Sequence, residues 1–308
     1  MPGDLPQDIL GAFDALFGVH PGFRPVHAKG ALCIGTFAPA PAAAQLTRAP
    51  HVTRPSTPVI VRFSNSTGLP EIPDGDPNAG PRGLAIRFSL ADHVHTDIVA
   101  HSTNGFPVRT SEEFLEFLRA VPLSGPTAAK PTPLDIFLST RPNAVRFLQA
   151  PKPVPASFAN ESFFAATAFR FVNPEGIGRI GRFQIRPQAG ANYLSAPEAA
   201  AKSPNFLYDE LPQRFAQGPI KFDIVVQMAE PSDEVADASV PWPDTRPIVE
   251  FGTVTLTALA KDEPDVRKII FDPIPRVDGI EATVDPLSEL RADIYLLSGR
   301  RRRAAGAK

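Results

Sequence analysis

The sequence predicts an α+β fold: an antiparallel β-barrel core with surrounding helices. Apolar runs of strand length recur along the chain and outnumber helical stretches. They do not alternate with helices in the regular rhythm of a parallel βαβ sheet. Proline is abundant, at 36 of 308 residues, against a usual share of about 5%, so the connections are many and irregular. With no internal repeat and no low-complexity tract, residues 1–308 read as a single domain.

The elements follow in order. Residues 4–18 place Leu5, Ile9, Phe13, Leu16 and Phe17 near helical spacing, with Asp4 and Asp8 at the N-terminal end, where the helix dipole favours them. Residues 26–37 read as a strand entered at His27, because Pro25 cannot donate to a ladder. Residues 40–57 form a connection, 58–64 a second strand, 65–81 a Gly/Pro/Asp/Asn loop and 82–90 a third strand. A turn around Asp92 and His93 leads to a strand from Asp97 that opens into the polar segment His101-Ser102-Thr103-Asn104. His93 and His95 alternate on one strand face, but no further ligands stand at a metal-binding spacing, so they read as a solvated hairpin. Ser111 is the expected N-cap of the next helix, with Glu112 and Glu113 in its first turn and its end near Pro122. Short helices follow at 133–139 and 141–149, strands at 164–172 and 180–187, a helix at 205–217 and strands at 220–229 and 248–258.

Bulk properties narrow the function. Lys+Arg 31 against Asp+Glu 33 gives a formal charge of -2, so no global field draws in nucleic acid or an anionic membrane. Cys33 is the only cysteine, which excludes an internal disulfide framework, a cysteine-based zinc site and covalent haem attachment through C-x-x-C-H. The N-terminus shows no secretory pattern and no run approaches the roughly 18 apolar residues of a membrane span. A cytoplasmic protein is the resulting expectation.

Three clusters could carry chemistry. In Arg24-Pro25-Val26-His27-Ala28-Lys29-Gly30 a histidine stands three residues after an arginine and three before a glycine. On the strand ending Val61-Arg62-Phe63-Ser64, Arg62 and Ser64 share one face. Such a face suits either an edge strand in water or an arginine aimed at an anionic ligand group with a serine near His27. In the C-terminal segment Arg291 and Tyr295 are one helical turn apart and Arg302 lies two further turns along the same face. A tyrosine can bind ferric iron as its phenolate, and a nearby guanidinium favours that anion.

Together these clusters resemble the haem catalase family. Residues 24–37 match its distal motif, Arg-x-x-His-Ala-Lys/Arg-Gly-x-x-x-x-Gly-x-Phe, throughout. Val61-Arg62-Phe63-Ser64, Arg82 to Phe88, Gln227-Met228, Trp242-Pro243 and Phe271-Asp272-Pro273 keep the family's order. The resemblance implies a haem, expected to be b-type, with Tyr295 as iron ligand and Arg291 as its charge partner. It implies His27 as distal acid/base with Ser64 hydrogen-bonded to it, and Arg24, Arg62 and Arg302 as clamps on the haem propionates. It also places Phe114 over the distal haem face and Val26 beside the channel.

Two departures stand out. Where the family carries Asn-Asn-Thr, this chain has His101-Ser102-Thr103, so either His101 replaces the distal amide or Asn104 supplies it after a loop shift. The chain also ends at Lys308, soon after Tyr295, without the family's C-terminal helical extension, which is the pattern of the minimal, catalase-related peroxidases. The expected activity is reduction of hydrogen peroxide and organic hydroperoxides by a small organic electron donor, with weak or no dismutation. A dismutating minimal catalase, a fatty-acid hydroperoxide isomerase and a non-enzymatic haem-binding protein are the alternatives; Val26 before His27 departs from the Thr-His of the isomerases. A homo-oligomer is left open.

Overall fold

A computed structural model describes residues 4–306. The described chain opens with α1 (Leu5–Phe17), β1 (Gly30–Pro39), α2 (Ala43–Leu46), β2 (Thr57–Ser64), β3 (Gly83–Ala91), β4 (Val94–His101) and α3 (Ser111–Ala120). Then come α4 (Pro133–Ser139), α5 (Pro142–Gln149), β5 (Val154–Pro155), β6 (Phe163–Phe164), β7 (Phe169–Val172), β8 (Gly178–Pro187), β9 (Tyr193–Leu194), α6 (Ala196–Ala200) and α7 (Phe206–Gln217). The last elements are β10 (Ile220–Met228), β11 (Ile248–Leu259), α8 (Pro264–Arg267), β12 (Ile280–Ala282) and α9 (Leu287–Ala304).

Eight strands pair antiparallel around a ring in the order β10-β11-β1-β2-β3-β4-β6-β8, and β8 pairs back onto β10. Closure leaves no edge within the ring. Alternation then sorts the side chains. Val59, Val61 and Phe63 of β2, Leu84, Ile86 and Phe88 of β3, and Ile98 and Ala100 of β4 enter the barrel core with Phe37, Phe163, Phe222 and Phe251. The intervening residues of these strands, including Arg62, Ser64, Gly83 and His101, consequently face outward.

A second apolar cluster lies outside the barrel. Ile9, Leu10 and Phe13 of α1, Leu115 and Leu118 of α3, and Ile294 of α9 form its buried centre, with Val26, Phe114 and Tyr295 packed against it. Asp4 caps α1 by accepting from the Gln7 amide at 3.4 Å. The segment before α9 is tied to the barrel. Arg87 holds Asp97 through two bonds of 2.9 and 2.7 Å and also bonds the Ile270 carbonyl, while Asp97 accepts from the Asp272 amide at 2.7 Å.

Several expected boundaries are corrected. β1 starts at Gly30 rather than at residue 26, because His27 has φ 55° and its amide bonds to the Ser66 carbonyl instead of a ladder partner. The strand expected at 164–172 divides into β6 and β7, since the first piece pairs with β4 and β8 inside the ring and the second turns to β8 and β12. The N-cap of α3 is Thr110, not Ser111: the Thr110 hydroxyl accepts from the Glu113 amide at 3.3 Å. A short helix, α2, also lies within the expected connection at 40–57.

Candidate active site

Strand register builds the site. Gly30 pairs with Ser64, Ser64 with Gly83, Gly83 with His101 and His101 with Phe164, a single row across five strands. Paired residues direct their side chains to the same face, so Ser64 and His101 flank a gap at Gly83. The His27 ring fills that gap. A Cβ at Gly83 would stand 2.5 Å from Ser64 Oγ, 2.7 Å from His27 Nδ1 and 2.9 Å from His27 Cε1.

His27 Nδ1 and Ser64 Oγ share a hydrogen bond of 3.0 Å. The backbone holds the ring in place, with the His27 amide donating to Ser66 O at 3.1 Å and the Ala28 amide to Thr67 O at 3.0 Å. A positive φ is uncommon for a residue with a Cβ, so the surrounding contacts must hold it. Burial, followed by the charges of Arg62, His101, Arg24 and Arg291, pushes the His27 imidazole down to about 3, so it is neutral at ordinary pH.

His101 acts electrostatically on His27, and its own ring is pushed down to about 4 by burial and then by Arg291 and Lys152. The Thr103 amide donates to His101 Nδ1 at 3.3 Å, so Nε2 carries the proton of the neutral ring. Asn104 lines a cavity of about 340 Å³ with Thr103, Phe147 and Trp242, and the Phe147 ring also stands edge-on to His101 at 6.5 Å. Of the two candidates for the distal amide position, His101 is within electrostatic reach of His27.

Three arginines gather near these groups. Arg62 donates to the carbonyls of His27 at 2.8 Å and Ala28 at 3.2 Å, in space that a Cβ at Gly30 would occupy. Arg24 donates to Ile269 O at 3.0 Å; Arg302 donates to the same oxygen at 2.9 Å and to the Arg267 carbonyl. Among the described residues none of the three forms an ion pair with a carboxylate, and Arg302 Nε is buried without a hydrogen-bond partner. Burial lowers the pKa of each, and mutual repulsion adds to it: Arg62 and Arg302 lower Arg24 well below its ordinary value, and Arg302 helps bring Arg62 to about 10. Tyr295 is the group that opposes this shift at Arg24.

On α9 Arg291 donates to Tyr295 Oη at 3.5 Å and to Thr167 Oγ1 at 3.0 Å. Phe114 packs between Phe13 and Phe106, at centroid distances of 6.0 and 5.1 Å. The arrangement suits a planar group carrying two carboxylates. Its carboxylates would meet the uncompensated guanidiniums, with His27 and Tyr295 both within electrostatic reach of Arg24.

The catalase family model matches residues 22–307. The chain belongs to the catalase family. It is 37% identical over 308 residues to a catalase-related peroxidase of Mycolicibacterium paratuberculosis, covering 97% of this chain and 95% of that protein. It is 35% identical over 303 residues to a catalase-related peroxidase of Synechococcus elongatus, covering 96% and 88% respectively. A crystal structure of a fungal catalase superposes with a TM-score of 0.79 at 22% identity, over 96% of this chain and 61% of that one. Catalase A of Saccharomyces cerevisiae gives the same TM-score at 21% identity, with 64% of its chain covered. This chain thus spans less than two thirds of either solved catalase, and at those identities the match speaks to the fold. Membership in the catalase family implies a haem cofactor, and the unpaired arginines fit one.

Close approach at Gly30 follows from its missing Cβ, and Arg62 makes that approach. Gly83 is the residue that the site read from the sequence lacked; it occurs in a quoted motif, but its part emerges only when strand register sets it between Ser64 and His101.

Proposed function

We propose that this chain, as one catalase-like core domain, is a peroxidase that reduces hydrogen peroxide and organic hydroperoxides with electrons from a small organic donor, and that it dismutates hydrogen peroxide weakly. The observation that carries the proposal is the row Ser64–Gly83–His101 with His27 seated over its glycine, within electrostatic reach of Arg24 and Arg291, while Arg24 is in turn within reach of Tyr295. A b-type haem, which Tyr295 would hold through its phenolate, would supply the redox chemistry of peroxide reduction when bound, with an organic donor as the source of electrons.

The chain's own residues do the rest. Arg24, Arg62 and Arg302 bind the propionates, and Arg291 stabilises the phenolate of Tyr295. Neutral His27 takes a proton from the arriving peroxide and returns it to the departing oxygen, while Ser64 fixes its orientation. Phe114 and Val26 shape the apolar surroundings and exclude water. His101 offers an Nε2 proton where the family places an amide. An imidazole differs from an amide in size and in the direction of its donor, which weakens the handling of a second peroxide and favours organic donors.

Stopped-flow absorption of the haem-loaded protein, with hydrogen peroxide and an alkyl hydroperoxide in turn, tests this reading alongside an oxygen electrode. Both peroxides should be consumed faster with an organic donor present, and oxygen evolution should stay the minor route. Oxygen evolution that outpaces donor oxidation at the same peroxide concentration would overturn it.

A further inference from the structure

A cavity of about 930 Å³ lies between the end of α1 and the 66–78 loop, apart from the histidine row. Its size is within the range of small-molecule sites, roughly 300–1,000 Å³. Phe17, Phe23 and Leu69 supply apolar wall and Ser66 and Thr67 supply polar edge. That edge is bound to the catalytic segment, because Ser66 O and Thr67 O accept the amides of His27 and Ala28. Gly68 presses the loop against Phe17 and Pro25, where a Cβ would meet Phe17 Cβ at 2.8 Å. A molecule in this cavity therefore lies one layer of backbone from His27.

The charged lining is acidic: Glu71 and Asp76 line the cavity and no lysine or arginine does, while the one basic side chain there, His20, is engaged through Nε2 with the Phe17 carbonyl at 3.0 Å. The cation nearest by bonding, Lys29, reaches the Ile72 carbonyl but is neutralised by Asp74 at 2.7 Å. Asp76 accepts from the Asn78 amide at 2.7 Å, whereas exposed Glu71 has no ion pair among the described residues.

We infer that this cavity is the seat of the electron donor, and that it selects an aromatic cation, a phenol or aniline carrying an ammonium group. The inference rests on the peroxidase reading above. In each turnover the O–O bond of hydrogen peroxide breaks and takes up two electrons and two protons to form two waters. Two phenolic donors each lose one electron and the hydroxyl proton, leaving two phenoxyl radicals.

Tyramine and 4-hydroxyphenylacetate share the oxidisable ring and differ in charge, so they serve as probes. Equilibrium dialysis against the haem-loaded protein, without peroxide, should show tyramine bound about tenfold more tightly, the scale of one nearby charge pair. Glu71→Lys should erase or reverse that preference. Leu69→Trp should weaken tyramine binding tenfold or more, with haem absorption and thermal midpoint checking its fold; exposed Glu71 carries the test if it misfolds. In turnover the same variants should raise the tyramine KM while kcat changes less. Equal binding of both probes, or a preference that survives Glu71→Lys, overturns the inference. Preferential binding without any peroxide-driven oxidation overturns the donor assignment through the peroxidase reading instead, so the two failures are distinguishable.

Discussion

Replacing Gly83 by alanine tests the proposed catalytic role of the Ser64–Gly83–His101 row at the point where it is most crowded. The new methyl would lie 2.7 Å from His27 Nδ1 and 2.5 Å from Ser64 Oγ, whereas ordinary contact begins at 3.4 Å. The ring must therefore retreat by about 0.7 Å, and its backbone cannot follow freely because the His27 and Ala28 amides are tied to Ser66 and Thr67. The Ser64 hydrogen bond is lost or stretched, costing about 1 kcal/mol. A misplacement near 1 Å costs on the order of 10²-fold in rate, so the donor-independent reaction with peroxide should slow by about 10- to 100-fold. Stopped-flow absorption measures it, with haem content read from the same spectra. Gly125→Ala is the control, since a Cβ there meets nothing within 4 Å. An unchanged rate in Gly83→Ala at unchanged haem content would refute the role given to the His27 position.

Tyr295→Phe removes the oxygen that Arg291 faces and should abolish stable haem incorporation or shift the charge-transfer band; an unaltered spectrum removes Tyr295 as the ligand. His101→Asn should raise oxygen evolution at fixed peroxide, while Asn104→Ala, on the wall of the 340 Å³ cavity, should leave it within about twofold; the opposite pattern on an oxygen electrode assigns the distal amide to Asn104. His51 is buried among Phe37, Phe88 and Phe251 with Nδ1 unpartnered, and burial pushes its imidazole down to about 4. Below pH 6.5 the unfolded chain gains a proton that the folded chain refuses until about pH 4. This site's contribution is therefore constant above pH 6.5 and is lost by about 2 kcal/mol at pH 5. Urea midpoints of wild type and His51→Leu at pH 7 and 5 should differ by that amount in their acid sensitivity, and parallel loss in both rejects it.

Most of the barrel was legible because a two-residue period is a local signal, and so was the Arg291–Tyr295 pair, one helical turn apart. Ring closure was not local. The pairing of β8 with β10 joins residues such as Phe183 and Val226, and no pattern inside either strand specifies its partner. His27 misled the strand assignment for a different reason: a positive φ is uncommon at any residue with a Cβ, and no local pattern marks the one that His27 adopts here. At α3 two adjacent hydroxyls competed as cap. Glu113 separates them, because it stands three residues after Thr110 and its carboxylate returns to the Arg109 amide.

The departures from ordinary folding economy concentrate at one place, and they share a sign. Arg24, Arg62 and Arg302 are drawn from water without carboxylates, Arg302 Nε has no acceptor, and His27 is held at φ 55°. An uncompensated buried cation costs several kcal/mol even after relaxation. A barrel that needed only stability would have acids opposite such arginines, as it has at Arg87–Asp97. Here the missing negative charge is left for a ligand to bring, and binding stabilises the fold by the free energy its absence costs. The same logic explains why the two histidines can remain neutral among guanidiniums. Burial first, and the positive surroundings after it, hold both rings neutral, which is the form the proposed proton transfer from peroxide to His27 requires.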